Sequence, residues 1–310
     1  MQTPRTRDDI DVSLVTRLVA SQFPQWSDLP IRPVGFEGWD NKTFRLGDEL
    51  SVRLPSGPSY AAQVEKEHQW LPQLARHLPL PIPTPVARGT PTADFPMPWS
   101  VYRWIEGEIA LLAHIEDLPL FASALAAFLV ALQRIDAKDG PPPGMHSYFR
   151  GCPMTLFDSE ISHNTPGNWG TREAIAALEG RIDADAATEV WEAALDAATW
   201  GDPVWVHGDV DATNLLVQQG RLSAVIDFGC SAVGDPACDL VIAWTFFSGE
   251  SRKAFRAGLP LDNATWARGR GWALWKASIV SAATIDTDPD KATRARRVIE
   301  AVIADHKGED

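Results

Sequence analysis

Cysteine is scarce in this sequence: 310 residues contain three, Cys152, Cys230 and Cys238, an odd set with no CxxC spacing. That pattern argues against a disulfide framework and against a structural zinc site. No stretch reaches the roughly 18 consecutive apolar residues of a membrane-spanning helix, and the opening MQTPRTRDDIDVSL has no apolar run of signal-peptide length. The expectation is a cytoplasmic protein with no membrane partner. Positive charge is also in short supply: 28 Lys and Arg against 41 Asp and Glu give a net charge of −13, without a basic run. Nucleic acid is therefore not an expected partner, because phosphate backbones are gripped by concentrated Lys and Arg. An acidic balance suits a cationic small molecule, and it suits plain solubility equally well. Internal repeats, low-complexity tracts and sustained heptads are absent.

Apolar residues make up 45% of the chain, with 13 Trp, enough to bury a sizeable core. The length exceeds a usual single core and favours two lobes. Val12, Val15, Leu18 and Val19 share one face of a short helix, and residues 31–54 read as an antiparallel sheet with a turn at Gly47 and Asp48. A helix follows over 61–71, with Val64, Leu71 and Leu74 inward, interrupted at Pro72. A proline-rich stretch leads into a strand over 99–105 that ends at Gly107, where the lobe junction is expected. Beyond it, helical patterns cover 118–135, 171–199 and most of 236–303, and strands flank a turn at 218–220. The Pro/Gly/Asn-bearing region 138–170 is too long for a simple connector.

The chemistry concentrates in VWVHGDVDATNLLVQQGRLSAVIDFG, residues 204–229. An apolar strand delivers His207, Gly208 and Asp209 into a loop; Asn214 follows, and a hairpin returns Asp227 to its side. Phosphoryl transfer asks a protein for a carboxylate near the attacking hydroxyl and hard oxygen ligands for a divalent cation on the phosphates. Asp209 fits the first task; the amide oxygen of Asn214 and the carboxylate of Asp227 fit the second. Singly, each motif also fits an ordinary turn. No Walker A loop is present, GCSAVG misses the GxSxG spacing of a hydrolase nucleophile, and His207 with Asp209 is too small a set for a catalytic metal.

HGDVDATN resembles the HGDxxxxN loop of the aminoglycoside phosphotransferase family, IDFG resembles the DFG element that family shares with protein kinases, and GDPACDL resembles its GDPxxDL continuation. The resemblance implies a protein-kinase-like two-lobed α+β fold, with a small N-terminal antiparallel-sheet lobe over 1–106 and a larger, mainly helical lobe over 107–310. It implies Mg2+ held by Asn214 and Asp227, ATP or GTP as donor, and Asp209 as catalytic base. His207 and Asp239 then support the loop. In the small lobe, ELSVRL and VEKE resemble the strand and helix that carry a phosphate-binding lysine and its glutamate, which fall on Arg53 and Glu67. Arginine in place of lysine keeps the charge but brings a larger planar head; an exposed Arg53 paired with Glu65 or Glu67 also fits the sequence. The phosphate-covering loop falls on 36–41, with Gly38 and Asn41 near the phosphates, and adenine on the backbone of Arg103 and Ile105. Trp39 and Trp104 there fit packing equally.

The family resemblance implies a small hydroxyl-bearing acceptor, with aminoglycosides as namesake and macrolides or choline-like amino alcohols as alternatives. A non-catalytic nucleotide-binding protein would lack one of Asp209, Asn214 or Asp227, and all three are present. Asp158, Glu160, Asp211 and Glu250, if they converge beside Asp209, would draw a polycation; Phe149, Phe157 and Trp169 in the same region would suit an apolar acceptor. Oligomeric state is not encoded in any of these features.

Overall fold

A computed structural model of the chain describes residues 7–35, 38, 40–159 and 170–308. The N-terminal part begins with α1 (Val12–Gln22), whose N-cap Asp11 accepts a hydrogen bond from the Leu14 amide. It lies on a five-stranded antiparallel sheet of order β1-β2-β3-β5-β4, made of β1 (Ile31–Pro33), β2 (Asn41–Leu46), β3 (Leu50–Pro55), β4 (Pro85–Gly89) and β5 (Trp99–Arg103). The β2–β3 turn works because Gly47 takes φ +60°, a conformation cheap only for glycine. Between β3 and β4 runs α2 (Ala61–Leu74). The expected interruption at Pro72 does not occur. Proline that close to the helix end forfeits one bond, the one that would reach the His68 carbonyl, and its φ is already helical.

After β5 the chain leaves the sheet two residues earlier than the pattern predicts. The Trp104 amide turns to the Glu49 carbonyl, and Gly107 takes φ +148° before β6 (Glu108–Ile109). The helical part contains α3 (Leu118–Gln133), α4 (Leu156–Ser159), α5 (Thr171–Ala177) and α6 (Ala184–Asp196). The helical patterns expected over 171–199 are two helices, separated around Gly180, whose φ of +74° is left-handed. Next come β7 (Val204–Val206), β8 (Leu215–Gln218), β9 (Arg221–Val225) and β10 (Ala232–Gly234); β7 pairs with β10, and β6, β8 and β9 form a second small sheet. Gln219 and Gly220, both at positive φ, make the tight turn between β8 and β9. Helices α7 (Ile242–Thr245), α8 (Gly249–Ala257), α9 (Asn263–Thr284) and α10 (Pro289–Lys307) complete the chain.

Two apolar clusters hold these elements. One joins α1 to the inner face of the sheet through Leu14, Leu18, Phe44, Val52 and Trp99. The larger one is built around α3, α6 and α9, with Phe128, Trp191 and Trp272 at or near zero exposure. Leu71, Leu74, Ile82 and Tyr102 precede the expected junction yet belong to the larger cluster. Among the described residues no helix is long and apolar enough to cross a membrane.

Candidate active site

The loop after β7 is built on a buried carboxylate. Asp239, wholly inaccessible, accepts the His207 amide at 2.9 Å and the Gly208 amide at 2.7 Å. Burial pushes its pKa up, while the nearby His207 and the two amide donors pull the other way. His207 is equally buried. Its Nδ1 accepts the Asp209 amide at 3.2 Å, so Nε2 bears the proton and donates to the Ile226 carbonyl at 3.0 Å. The ring thereby ties the Asp209 loop to the strand that leads into Asp227. Gly208 sits at φ +82°, and a Cβ there would lie 2.4 Å from the Cys230 carbonyl oxygen, so only glycine fits.

Asn214 spends its amide hydrogens on Asp209: Nδ2 lies 2.9 Å from the Asp209 carbonyl oxygen and 3.3 Å from Oδ2. This leaves its Oδ1 as the free ligating atom. The Ile226 amide donates to the Asn214 carbonyl at 2.8 Å, which brings Asp227 alongside. Asp227 itself holds φ +64°, an uncommon backbone for a non-glycine residue, of the kind that persists where surrounding structure enforces it. From the sheet, Arg53 Nη2 reaches Asp227 Oδ1 at 3.0 Å and Nη1 lies 3.6 Å from Glu67 Oε1. The pair expected between Arg53 and Glu67 is therefore a bridge of three, with Asp227 the nearer carboxylate. The fork of an arginine can span both, which a lysine ammonium cannot do in the same way. Burial opposes the Arg53 charge, but Glu67 and then Asp227 more than offset it and hold its pKa well above the usual range. Glu67 Oε2 takes the Tyr102 hydroxyl.

Gly38 lies over this group, its Cβ position 3.9 Å from Asp227 Oδ2, and Asn41 opens β2 as a buried residue. Phe36, Glu37 and Trp39 of the same loop lie outside the described residues. Asp40, not singled out in the sequence, adds a third carboxylate: burial, then the charge of Asp227, push it up to about 6, against the Gln63 side-chain bond. Asp40, Asp227 and Asn214 Oδ1 are hard oxygen donors of the kind that suits Mg2+. At the hinge, the Arg103 amide is committed to the Thr84 carbonyl at 2.9 Å and that of Trp104 to Glu49; Ile105 makes no comparable backbone bond. Trp104 packs its ring under the Arg45 guanidinium.

Three basic residues near the loop were not legible in the motifs. Lys66, next to Glu67 on α2 and only 8% exposed, donates to the carbonyls of Gly229 at 2.6 Å and Ser231 at 2.9 Å. Lys276 on α9 lies 3.1 Å from Asp209 Oδ1 and 3.7 Å from Asp211 Oδ2. Arg150 stacks on Trp275, 4.5 Å from the ring centre, in the small cavity that Asp209 and Lys276 also line. Burial would push the Asp209 carboxyl up, but Lys276 and then Arg150 hold it down at about 2. Lys276 is raised in turn, chiefly by Asp209. The signal available in the sequence was a lone lysine within the apolar run GWALWKAS of α9.

Among the described residues, two of the acids expected beside Asp209 pair elsewhere. Asp158 turns away and accepts from Arg172 Nε at 2.6 Å and Trp191 Nε1 at 2.8 Å. Glu250 is a surface residue paired with Lys253. Glu160 and Trp169 lie outside the described residues. Asp211 alone is close to Asp209, and it also caps the following turn through the Thr213 amide and hydroxyl. The reason is local supply: α5 and α8 bring their own cations to Asp158 and Glu250. Phe157, 4.6 Å from both Trp272 and Trp275, is core.

The fold is that of the kinase-like aminoglycoside phosphotransferases. The family model described as the phosphotransferase enzyme family matches residues 30–272, and the chain belongs to that family. Among solved structures, the GDP and kanamycin complex of APH(2")-IIia is similar with a TM-score of 0.70 at 18% identity, over 94% of this chain and 98% of that one. The macrolide 2'-phosphotransferase MphH from Brachybacterium faecium is similar with a TM-score of 0.58 at 21% identity, over 93% and 98%. The Bacillus subtilis (strain 168) uncharacterized protein YcbJ is 26% identical over 209 residues, 66% of this chain; the chain spans 60% of the length of that curated relative.

Proposed function

We propose that this phosphotransferase is a small-molecule kinase that moves the γ-phosphate of ATP or GTP onto a hydroxyl of its acceptor. The observation that carries it is the convergence of Asp209, Asn214, Asp227 and Arg53 on one cleft edge, from a loop, a hairpin and a strand of the other sheet. In this reading Asp209 accepts the acceptor's hydroxyl proton and orients its oxygen. Arg53, tied to Glu67, offers a fixed positive fork for phosphate oxygens. Asn214 Oδ1 and Asp227 would hold Mg2+, which when bound supplies positive charge against the phosphates. Gly38, Asn41 and the backbone of Arg103 and Ile105 line the nucleotide side of this reading. Arg53 also bonds an Asp227 oxygen, so in this reading one guanidinium lies between the phosphate side and a candidate cation ligand.

A related fold that binds kanamycin or one that acts on macrolides does not fix the acceptor here, and the described residues assemble no acidic funnel for a polycation. A non-catalytic nucleotide-binding protein is the weaker reading, because the base and both candidate magnesium ligands are in place. The test is nucleoside diphosphate release with Mg2+ across aminoglycosides, macrolides, amino alcohols and hydroxy acids. Acceptor-stimulated release that needs Asp227 is expected. Nucleotide binding with no release above background for any acceptor would favour the non-catalytic reading.

A further inference from the structure

The face of Asp209 toward α9 carries positive charge. Lys276 occupies Asp209 Oδ1, the atom an acceptor hydroxyl would need, and leans on Asp211. Arg150, stacked over Trp275 and 5.6 Å from the Trp272 ring centre, has no carboxylate within ion-pair distance among the described residues, and its buried Nη1 lacks a hydrogen-bond partner. The other carboxylates nearby are spoken for: Asp235 by Arg268 at 2.5 Å, and Asp239 by the two loop amides. The cavity among Arg150, Asp209, Trp272, Trp275 and Lys276 measures about 10 Å³, room for one water at most. An acceptor hydroxyl that takes Oδ1 therefore displaces Lys276 from it. At that moment two cations, Arg150 and Lys276, face it.

We propose that Arg150 and Lys276 form an oxyanion site beside Asp209, and that the acceptor is a hydroxylated organic anion rather than a polycation. This rests on the kinase reading of Asp209. A negative group on the acceptor satisfies the unpaired guanidinium and the displaced ammonium together, and the ring faces of Trp275 and Trp272 hold the guanidinium in place. A polyamine acceptor would instead bring like charge against both. One ligand chemistry has two sources here: an anionic group of the acceptor, or the phosphoryl group in transit.

Sulfate serves as the probe. Thermal unfolding of the full chain is followed against sulfate concentration in two complexes, Mg·ADP, with the γ position vacant, and Mg·AMP-PNP, with it filled. In both, sulfate is expected to raise the midpoint, and Arg150→Met should raise the sulfate concentration needed by about 10- to 100-fold, the loss of a charge-assisted contact. Lys276→Met should weaken the response in the same direction, and Arg150→Lys, which keeps the charge, should retain much of it and so guards against a folding defect. An equal sulfate response in wild type, Arg150→Met and Lys276→Met overturns the site. A response seen with Mg·ADP and abolished by Mg·AMP-PNP assigns the site to the phosphoryl group and overturns the acidic acceptor. Failure of either nucleotide to stabilise the wild-type chain counts against the kinase reading itself, a different result from both.

Discussion

At the scale of single residues, the HGD, N and DFG positions could be read from the sequence because their partners are close along the chain. Asn214 is five residues from Asp209, and one hairpin returns Asp227. Lys276 could not be read in this way. It is 67 residues from Asp209, and its charge meets Asp209 only through the packing of α9. The same holds for Arg150 and Lys66. Arg150 and Lys276 show in the sequence only as a cation in an irregular or apolar segment, and Lys66 as a lysine between two glutamates, each of which in most chains means no more than a solvated tip. Arg53 was legible as a cation but not as a bridge, since its reach to Asp227 depends on how the sheet sits over the loop. A double-mutant cycle tests that bridge. Arg53→Ala should lower kcat/KM more than Glu67→Ala, because Arg53 meets the phosphates and Glu67 acts through it. The double variant should fall short of the summed losses. Additive losses would separate the two residues.

At the scale of elements, the pattern located most strands and helices and misjudged their ends. Pro72 ends no helix because its loss falls in the last turn, and Gly180 divides a segment whose apolar period continues across the break. Two devices fix the loop that carries Asp209 and the segment that follows Asp227. Gly208 is one: Gly208→Ala forces a Cβ to 2.4 Å from the Cys230 carbonyl at positive φ. It should cost about 1–3 kcal/mol or more in unfolding free energy and lower turnover by displacing Asp209. Wild-type stability and turnover in that variant would contradict the geometry. Lys66 is the other, a buried strut from α2 to the segment after Asp227.

Burial pulls the Lys66 ammonium down from 10.5 to about 8, against the opposing charges of Cys230, Glu67 and Asp227. Between those two values the unfolded chain binds a proton that the folded chain has released, so this group raises stability as pH climbs from about 8 to 10.5 and lowers it below that window. Wild type should therefore gain on Lys66→Met across the window, by an amount on the order of 3 kcal/mol at full effect. A difference between the two proteins that stays constant from pH 7 to 10.5 would show that Lys66 does not titrate there.

At the scale of the whole molecule, the kinase-like arrangement follows from two cores that meet along the site: a sheet that carries Arg53 and a helical body that carries Asp209. The length and composition predicted two lobes, but not that Leu71, Leu74 and Tyr102 would pack with the helical body. Helix α2 thus belongs to both sides and couples Glu67 to the loop beneath it. The net charge of −13 pointed to a cationic acceptor only so long as its acids were taken to converge. Among the described residues Asp158 and Glu250 sit on separate helices, each with a basic partner, and total charge gives no account of the local field at Asp209.

The claim that joins these scales is phosphoryl transfer to a hydroxyl through Asp209 with Asp227 in support. The most direct measurement is transfer of label from γ-32P-labelled ATP or GTP to a panel of hydroxylated acceptors, in the presence of Mg2+, by wild type, Asp209→Asn and Asp227→Ala. The account predicts a labelled acceptor with wild type, a loss of about 10²- to 10⁴-fold with Asp209→Asn in a folded protein, and loss to background with Asp227→Ala. Undiminished label transfer by both folded variants would contradict it.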